Sequence, residues 1–80
     1  MSHLILIKIR DSKNLMTNGK VSTKSTVSIT LNGLEVRRIS TDVYSLSKED
    51  MIEEVFEWVN TLVRALELGG SKVLCKQEGF

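Results

Sequence analysis

The stretch TVSITLNGLEVRRI, residues 26–39, decides the fold. Thr26 to Leu31 alternates strictly, setting Val27, Ile29 and Leu31 on one side and Thr26, Ser28 and Thr30 on the other. Asn32-Gly33 follows, and both residues tolerate the positive φ that a two-residue type I′ turn demands. Leu34 to Ile39 then alternates again, so the stretch reads as a hairpin. A two-residue turn pairs Leu31 with Leu34 and Ile29 with Val36, which gathers four apolar side chains on one face. The same register sets Arg38 opposite Val27 on that face. Either Arg38 stands at the sheet margin, or a bulge near Arg37-Arg38 turns Ile39 inward.

Towards the start of the chain, residues 3–10 (HLILIKIR) form a second apolar, β-branched run. Ile5, Ile7 and Ile9 share one face, and Leu4, Leu6 and Lys8 share the other. Both faces begin apolar, which is expected of a central strand. Residues 11–20 (DSKNLMTNGK) are polar and turn-rich, either a loop or the tip of a long hairpin, with Asn18-Gly19 suited to a type I′ corner.

Beyond the hairpin, residues 48–68 (KEDMIEEVFEWVNTLVRALEL) carry the strongest helical period in the chain. Ile52, Val55, Phe56, Val59, Leu62, Val63 and Leu66 recur on one stripe, and Glu53, Glu54, Glu57, Asn60, Arg64 and Glu67 take the opposite side. Ser47 is placed to cap the helix with Asp50 answering three residues on, and Leu46 and Met51 hold the positions of a hydrophobic staple. Lys48 is the one discordant charge in a first turn otherwise favouring Glu49 and Asp50. Gly69-Gly70 ends the helix, which would be about 31 Å long at roughly 1.5 Å per residue. Lys72 to Lys76 reads as a last short strand, with Val73 and Cys75 on one face and Lys72, Leu74 and Lys76 on the other. The order is β-β-β-α-β. It implies a two-layer α+β domain over residues 1–80, an antiparallel sheet covered on one face by one long amphipathic helix.

Eighty residues support one core, and ordering them costs on the order of 1.5 kcal/mol each, so burial must be efficient or supplemented by association. Cys75 is the only cysteine and His3 the only histidine, which removes an intramolecular disulfide and a Cys/His metal cluster. A lone thiol points to a reducing compartment, and a cytoplasmic location is expected. The opening apolar run lacks the basic start and cleavage site of a signal peptide and is too short to cross a bilayer, so no membrane role is expected. Net charge is +1 but unevenly spread. Residues 1–44 carry seven bases against three acids, and residues 45–80 four against seven. The domain should therefore have a basic sheet side and an acidic helix side.

Little in the chain promises chemistry. Cys75 needs a base or a positive, exposed setting to act as a nucleophile, and strand alternation turns Lys72 and Lys76 away from it, so a buried structural thiol is expected. His3 reads as a solvated strand-end residue. Glu53, Glu54 and Glu57 are the solvated face of a helix. Gly69-Gly70 follows a helix, whereas phosphate loops precede one. No catalytic residue, cofactor or metal is expected, and no stretch carries a family motif.

What remains is surface. Trp58 lies at the border of the apolar stripe, as a core-edge residue or a partner-facing anchor. The sheet face away from the helix should display Lys8, Arg37, Lys72 and Lys76 among hydroxyls, with Leu4, Leu6 and Leu74 between them, joined by Ile39 unless the bulge turns it inward. This combination points to a small non-enzymatic protein-binding module. Inhibitor, adaptor or regulatory subunit would all fit, in the size class of phage and mobile-element accessory proteins, and the partner would present an acidic surface. Two rival readings use the same face. One is nucleic-acid binding, weakened by the absence of aromatic residues on the strands; the other is a homodimer or larger homo-oligomer. Within the fold, Val59→Asp places a charge in the middle of the apolar stripe and is expected to abolish folding. Loss of the far-ultraviolet circular dichroism signal and of a cooperative thermal transition would report it.

Overall fold

The computed structural model describes residues 1–15, 17–44 and 47–80, with the backbone alone at 14, 43 and 44. In chain order the elements are β1 (Ser2–Leu15), β2 (Val21–Leu31), β3 (Leu34–Ser40), the one-turn α1 (Thr41–Tyr44), α2 (Lys48–Leu68) and β4 (Lys72–Glu78). The strands form a single sheet in the order β3-β2-β1-β4. The β-β-β-α-β sequence of strands and the long helix therefore stands, and β1 occupies the centre that its two apolar faces require.

The hairpin turns on Asn32 at φ 53° and Gly33 at φ 86°, so both residues take the left-handed region. Leu31 pairs with Leu34, as the two-residue turn dictates. One step further the register breaks: Thr30 faces Glu35 but Ile29 faces Arg37, leaving Val36 as the extra residue of a bulge. The expected Ile29–Val36 pair does not form, and the bulge precedes Arg37-Arg38. Its cause is the side chains beyond it. Uninterrupted alternation would set Arg38 in the core, where an unpaired guanidinium costs several kcal/mol. One extra residue sets Ile39 there instead, opposite Val27, and burying it is worth roughly 1.5–3 kcal/mol.

β1 and β2 pair continuously from Ile5–Leu31 out to Leu15–Val21, so the polar stretch after Arg10 is the far half of a long hairpin. Its tip spans residues 16–20. The type I′ corner expected at Asn18-Gly19 is absent: Gly19 alone takes positive φ, and the Asn18 side chain accepts from the Lys20 N–H at 3.0 Å. A tip of five residues has no need of the primed turn that a two-residue loop requires.

The sheet is mixed, because β4 runs parallel to β1 from Ser2–Lys72 to Lys8–Glu78. This corrects the antiparallel expectation, and the reason is a count of reversals. Two hairpin turns make β3 parallel to β1. The long helix then carries the chain back across the sheet, so the next strand must run in the direction of β3 and hence of β1.

Ser47 caps α2, its hydroxyl accepting the Asp50 N–H at 3.2 Å. The staple expected from Leu46 lies outside the described residues. At the other end Gly70 takes φ 86°, its N–H donates to the Glu67 carbonyl at 2.9 Å, and the Ser71 N–H donates to the Leu66 carbonyl at 3.2 Å. That pair of bonds is a Schellman motif.

Ile5, Ile7, Val27, Ile29, Ile39, Met51, Val55 and Val59 form one buried cluster joining three strands to the helix. The centre of the helical stripe is Met51-Val55-Val59, with Ile52 only half-buried, so the helix is turned slightly from the face that Ile52 would centre. Beyond Glu78, Gly79 crosses β1 so closely that a Cβ would lie 2.5 Å from the Ile9 carbonyl oxygen. Phe80 then stacks at a tilt on Phe56 of α2, with ring centroids 5.6 Å apart.

The bulge generates a direct comparison. Ile39→Ala is expected to lower unfolding stability by about 2–5 kcal/mol, whereas Val36→Ala should cost well under about 1 kcal/mol. Urea denaturation of the two variants checks it.

Candidate functional site

Strand register fixes what the helix leaves uncovered. On the face opposite α2, Leu4 lies beside Leu74, and Leu6 lies between Thr30 and Lys76. The next row across the strands is Arg38, Ser28, Lys8 and Glu78, followed by Thr26 beside Arg10. No helix crosses this face among the described residues. Leu4 is 40% exposed and Leu74 58% exposed, a large apolar area for two strand residues of so small a domain. Lys72 and Lys76 bracket Leu74 along β4.

The charges here are lopsided. The two acids of this face, Glu35 and Glu78, are both taken: Glu35 accepts from the Arg38 Nε at 2.8 Å, and Glu78 lies 3.6 Å from the Lys8 ammonium. Both pairs are solvent-exposed and contribute about 1 kcal/mol at most. Arg10, Lys72 and Lys76 have no acidic partner among the described residues. Around the third and fourth rows Lys8, Arg10, Thr26, Ser28, Arg38, Glu78 and Gly79 line a shallow concavity of about 610 Å³. The helix inverts this balance, with six acids against two bases between Lys48 and Leu68.

Of the residues expected on the free face, Leu4, Leu6, Lys8, Lys72, Leu74 and Lys76 lie there. Arg37 does not. The bulge sets it beside Ile29 on the helix side, where its guanidinium lies 3.8 Å from Glu54 and 5.3 Å from the centre of the Trp58 ring. Trp58 is half-buried at the edge of the core, with Arg37 over its face. Arg38 and Arg10 replace Arg37 on the open face. Arg10 was legible from alternation along β1, since it lies two residues beyond Lys8; Arg38 depended on the bulge.

Cys75 corrects another expectation, because it is exposed rather than buried. Its place opposite Ile5 puts it on the helix side, but β4 is an edge strand and leaves it open to solvent. Partial desolvation, then the neighbouring Glu67, push its thiol above the ordinary 9.0, which keeps it protonated and poorly nucleophilic at neutral pH. His3 Nδ1 lies 2.9 Å from the Asn32 amide nitrogen, tying the start of β1 to the hairpin turn. Among the described residues no three His, Cys, Asp or Glu side chains are grouped to hold a metal ion, and no helix is long and apolar enough to cross a membrane. No protein-family model, no curated protein and no solved structure matches the chain.

One polar cluster sits where the sheet ends and the long hairpin begins. Asp11 accepts from the buried Ser25 hydroxyl at 2.6 Å and from the Lys48 ammonium at 3.0 Å, while the Ser25 N–H donates to the Thr41 hydroxyl at 3.2 Å. Lys48, discordant at a helix N-terminus, is there to meet Asp11 across the layers. The Ser25 and then the Lys48 hydrogen bonds hold the Asp11 carboxyl below its ordinary 3.8. A carboxylate with a lowered folded pKa binds its proton less readily than in the unfolded chain. Its stabilising contribution is therefore complete above 3.8 and is lost as pH falls through the folded value. Asp11→Asn is expected to flatten the acid side of the stability-versus-pH curve below pH 3.8, measured by urea denaturation across pH.

Proposed function

We propose that this chain is a non-enzymatic protein-binding module, an adaptor, inhibitor or regulatory subunit, whose docking surface is the open sheet face around Leu4, Leu6 and Leu74. The observation that carries this reading is the pairing of Leu4 with Leu74 on an uncovered face, with Lys72 and Lys76 beside them lacking acidic partners. Exposed leucines cost solvation free energy unless something covers them, about 25 cal/mol for each Å² removed from water. Unpartnered lysines at their margin favour an occupant with carboxylates at the matching positions, through steering and through exclusion of other basic surfaces. The partner is therefore a protein with an acidic rim around an apolar centre.

The test uses the intact chain as bait in nuclease-treated source lysate, beside Lys72→Glu/Lys76→Glu and Leu74→Ser variants that retain the native circular dichroism spectrum. An acidic protein captured in stoichiometric amount by the wild type and lost with both variants is the expected outcome. An identical captured set for all three baits, or a stable dimer of the chain held through this same face, would remove the proposal.

A further inference from the structure

The long hairpin extends well past the core. β1 has 14 residues and spans about 46 Å at roughly 3.3 Å per residue, against about 31 Å for α2. The ion pair between Lys48 and Asp11 fixes the start of the helix at Asp11, so about 15 Å of two-stranded ribbon projects beyond it. The 54 Å long axis of the molecule, against 20 and 17 Å for the others, reflects this arm. Most of its side chains are solvent-exposed; Lys24 at its base is half-buried.

Its chemistry is one-sided. Arg10, Lys13, Lys20 and Lys24 lie on the arm or at its root, and Asp11 is the only acid from Arg10 to Thr26. That acid is already satisfied by Lys48 and Ser25. Lys13 and Lys20 have no acidic partner among the described residues, while Lys24 meets Asp42 at 3.3 Å. Ser12, Ser22 and Thr23 supply hydroxyls. Near the tip Leu15 and Val21 face each other across the ribbon, 78% and 60% exposed, with nothing among the described residues to cover them.

We infer that this arm is a DNA-contacting element that enters the major groove of a duplex. The fit is dimensional as well as electrostatic. A two-stranded ribbon is admitted by the B-form major groove, about 12 Å wide and 8.5 Å deep, and an arm of about 15 Å reaches its floor. Lys13 and Lys20 neutralise phosphates, hydroxyls reach base edges, and Leu15 with Val21 meets thymine methyl groups. The concavity at the root, with Lys8, Arg10 and Arg38, continues the basic track along the flanking backbone. The absence of aromatic side chains, which weakens single-strand binding, is no obstacle here, because a duplex needs no stacking platform. The A-form major groove of duplex RNA is too narrow to be read this way. Lys13 on the arm lies about 30 Å along β1 from Leu4, beyond the leucines of the protein-docking face.

Fluorescence anisotropy with a labelled duplex DNA of about 20 base pairs, titrated from 50 to 200 mM salt, tests it. The wild type should bind with an affinity that falls steeply with salt, and duplex RNA of the same sequence should bind markedly less. Lys13→Ala/Lys20→Ala should weaken binding about tenfold and reduce the salt slope by about two. Leu15→Ser/Val21→Ser should weaken binding at an unchanged slope, and the charge control Arg64→Ala on the helix should bind like the wild type. These positions are all exposed, so an unchanged circular dichroism spectrum excludes unfolding as the cause. No binding to the DNA duplex at 50 mM salt, equal binding to RNA, or indifference to Lys13→Ala/Lys20→Ala would overturn the inference, whatever becomes of the protein-docking face.

Discussion

One helix can cover only one face of a sheet, and this chain has one long helix. Everything else follows from which face that is. Met51, Val55 and Val59 sit on Ile5, Ile7, Val27, Ile29 and Ile39, and this cluster supplies the fully buried apolar side chains of the domain. With so few of them, each must lie on the correct side. That need explains the bulge at Val36, which sacrifices one regular pair to bring Ile39 under the helix and keep Arg38 out.

The same constraint sorts the charges. The solvated side of α2 is acidic because the apolar stripe confines its carboxylates there, and the uncovered sheet face collects most of the strands' lysines and arginines, Arg37 excepted. One crossing point between these two regimes is Asp11, where an acid on the sheet meets Lys48 on the helix. Arg37 and Glu54 make a second, weaker link at the far margin, with Trp58 beneath the guanidinium. Both links are surface pairs, so they orient the helix more than they stabilise it.

The length of β1 divides the open face into two regions of different character. Near its start, leucines on β1 and β4 lie among unpartnered lysines; near its end, the sheet narrows to two strands that leave the helix behind and carry bases, hydroxyls and an apolar tip. The docking face and the DNA-contacting arm proposed above place opposite demands on solvation. The two regions lie at opposite ends of one 14-residue strand.

The sequence by itself determined the α+β class, the order of elements, the Asn32-Gly33 turn, the Ser47 and Gly70 ends of the helix, and the uncovered positions of Leu4, Leu6, Lys8, Lys72, Leu74 and Lys76. Each depends on spacing of two or 3.6 residues, or on the backbone freedom of one or two residues, and such signals are local. Tertiary structure alone decided the rest. The direction of β4 depends on the return path of the helix, and the exchange of Arg37 for Arg38 depends on a bulge whose driving force is burial of Ile39 three residues on. The exposure of Cys75 depends on β4 taking an edge of the sheet. The projecting arm depends on the difference between two lengths, the strand and the helix whose first residue, Lys48, meets Asp11. These are relations between elements distant in sequence, and side-chain periodicity along one element carries no information about where another ends.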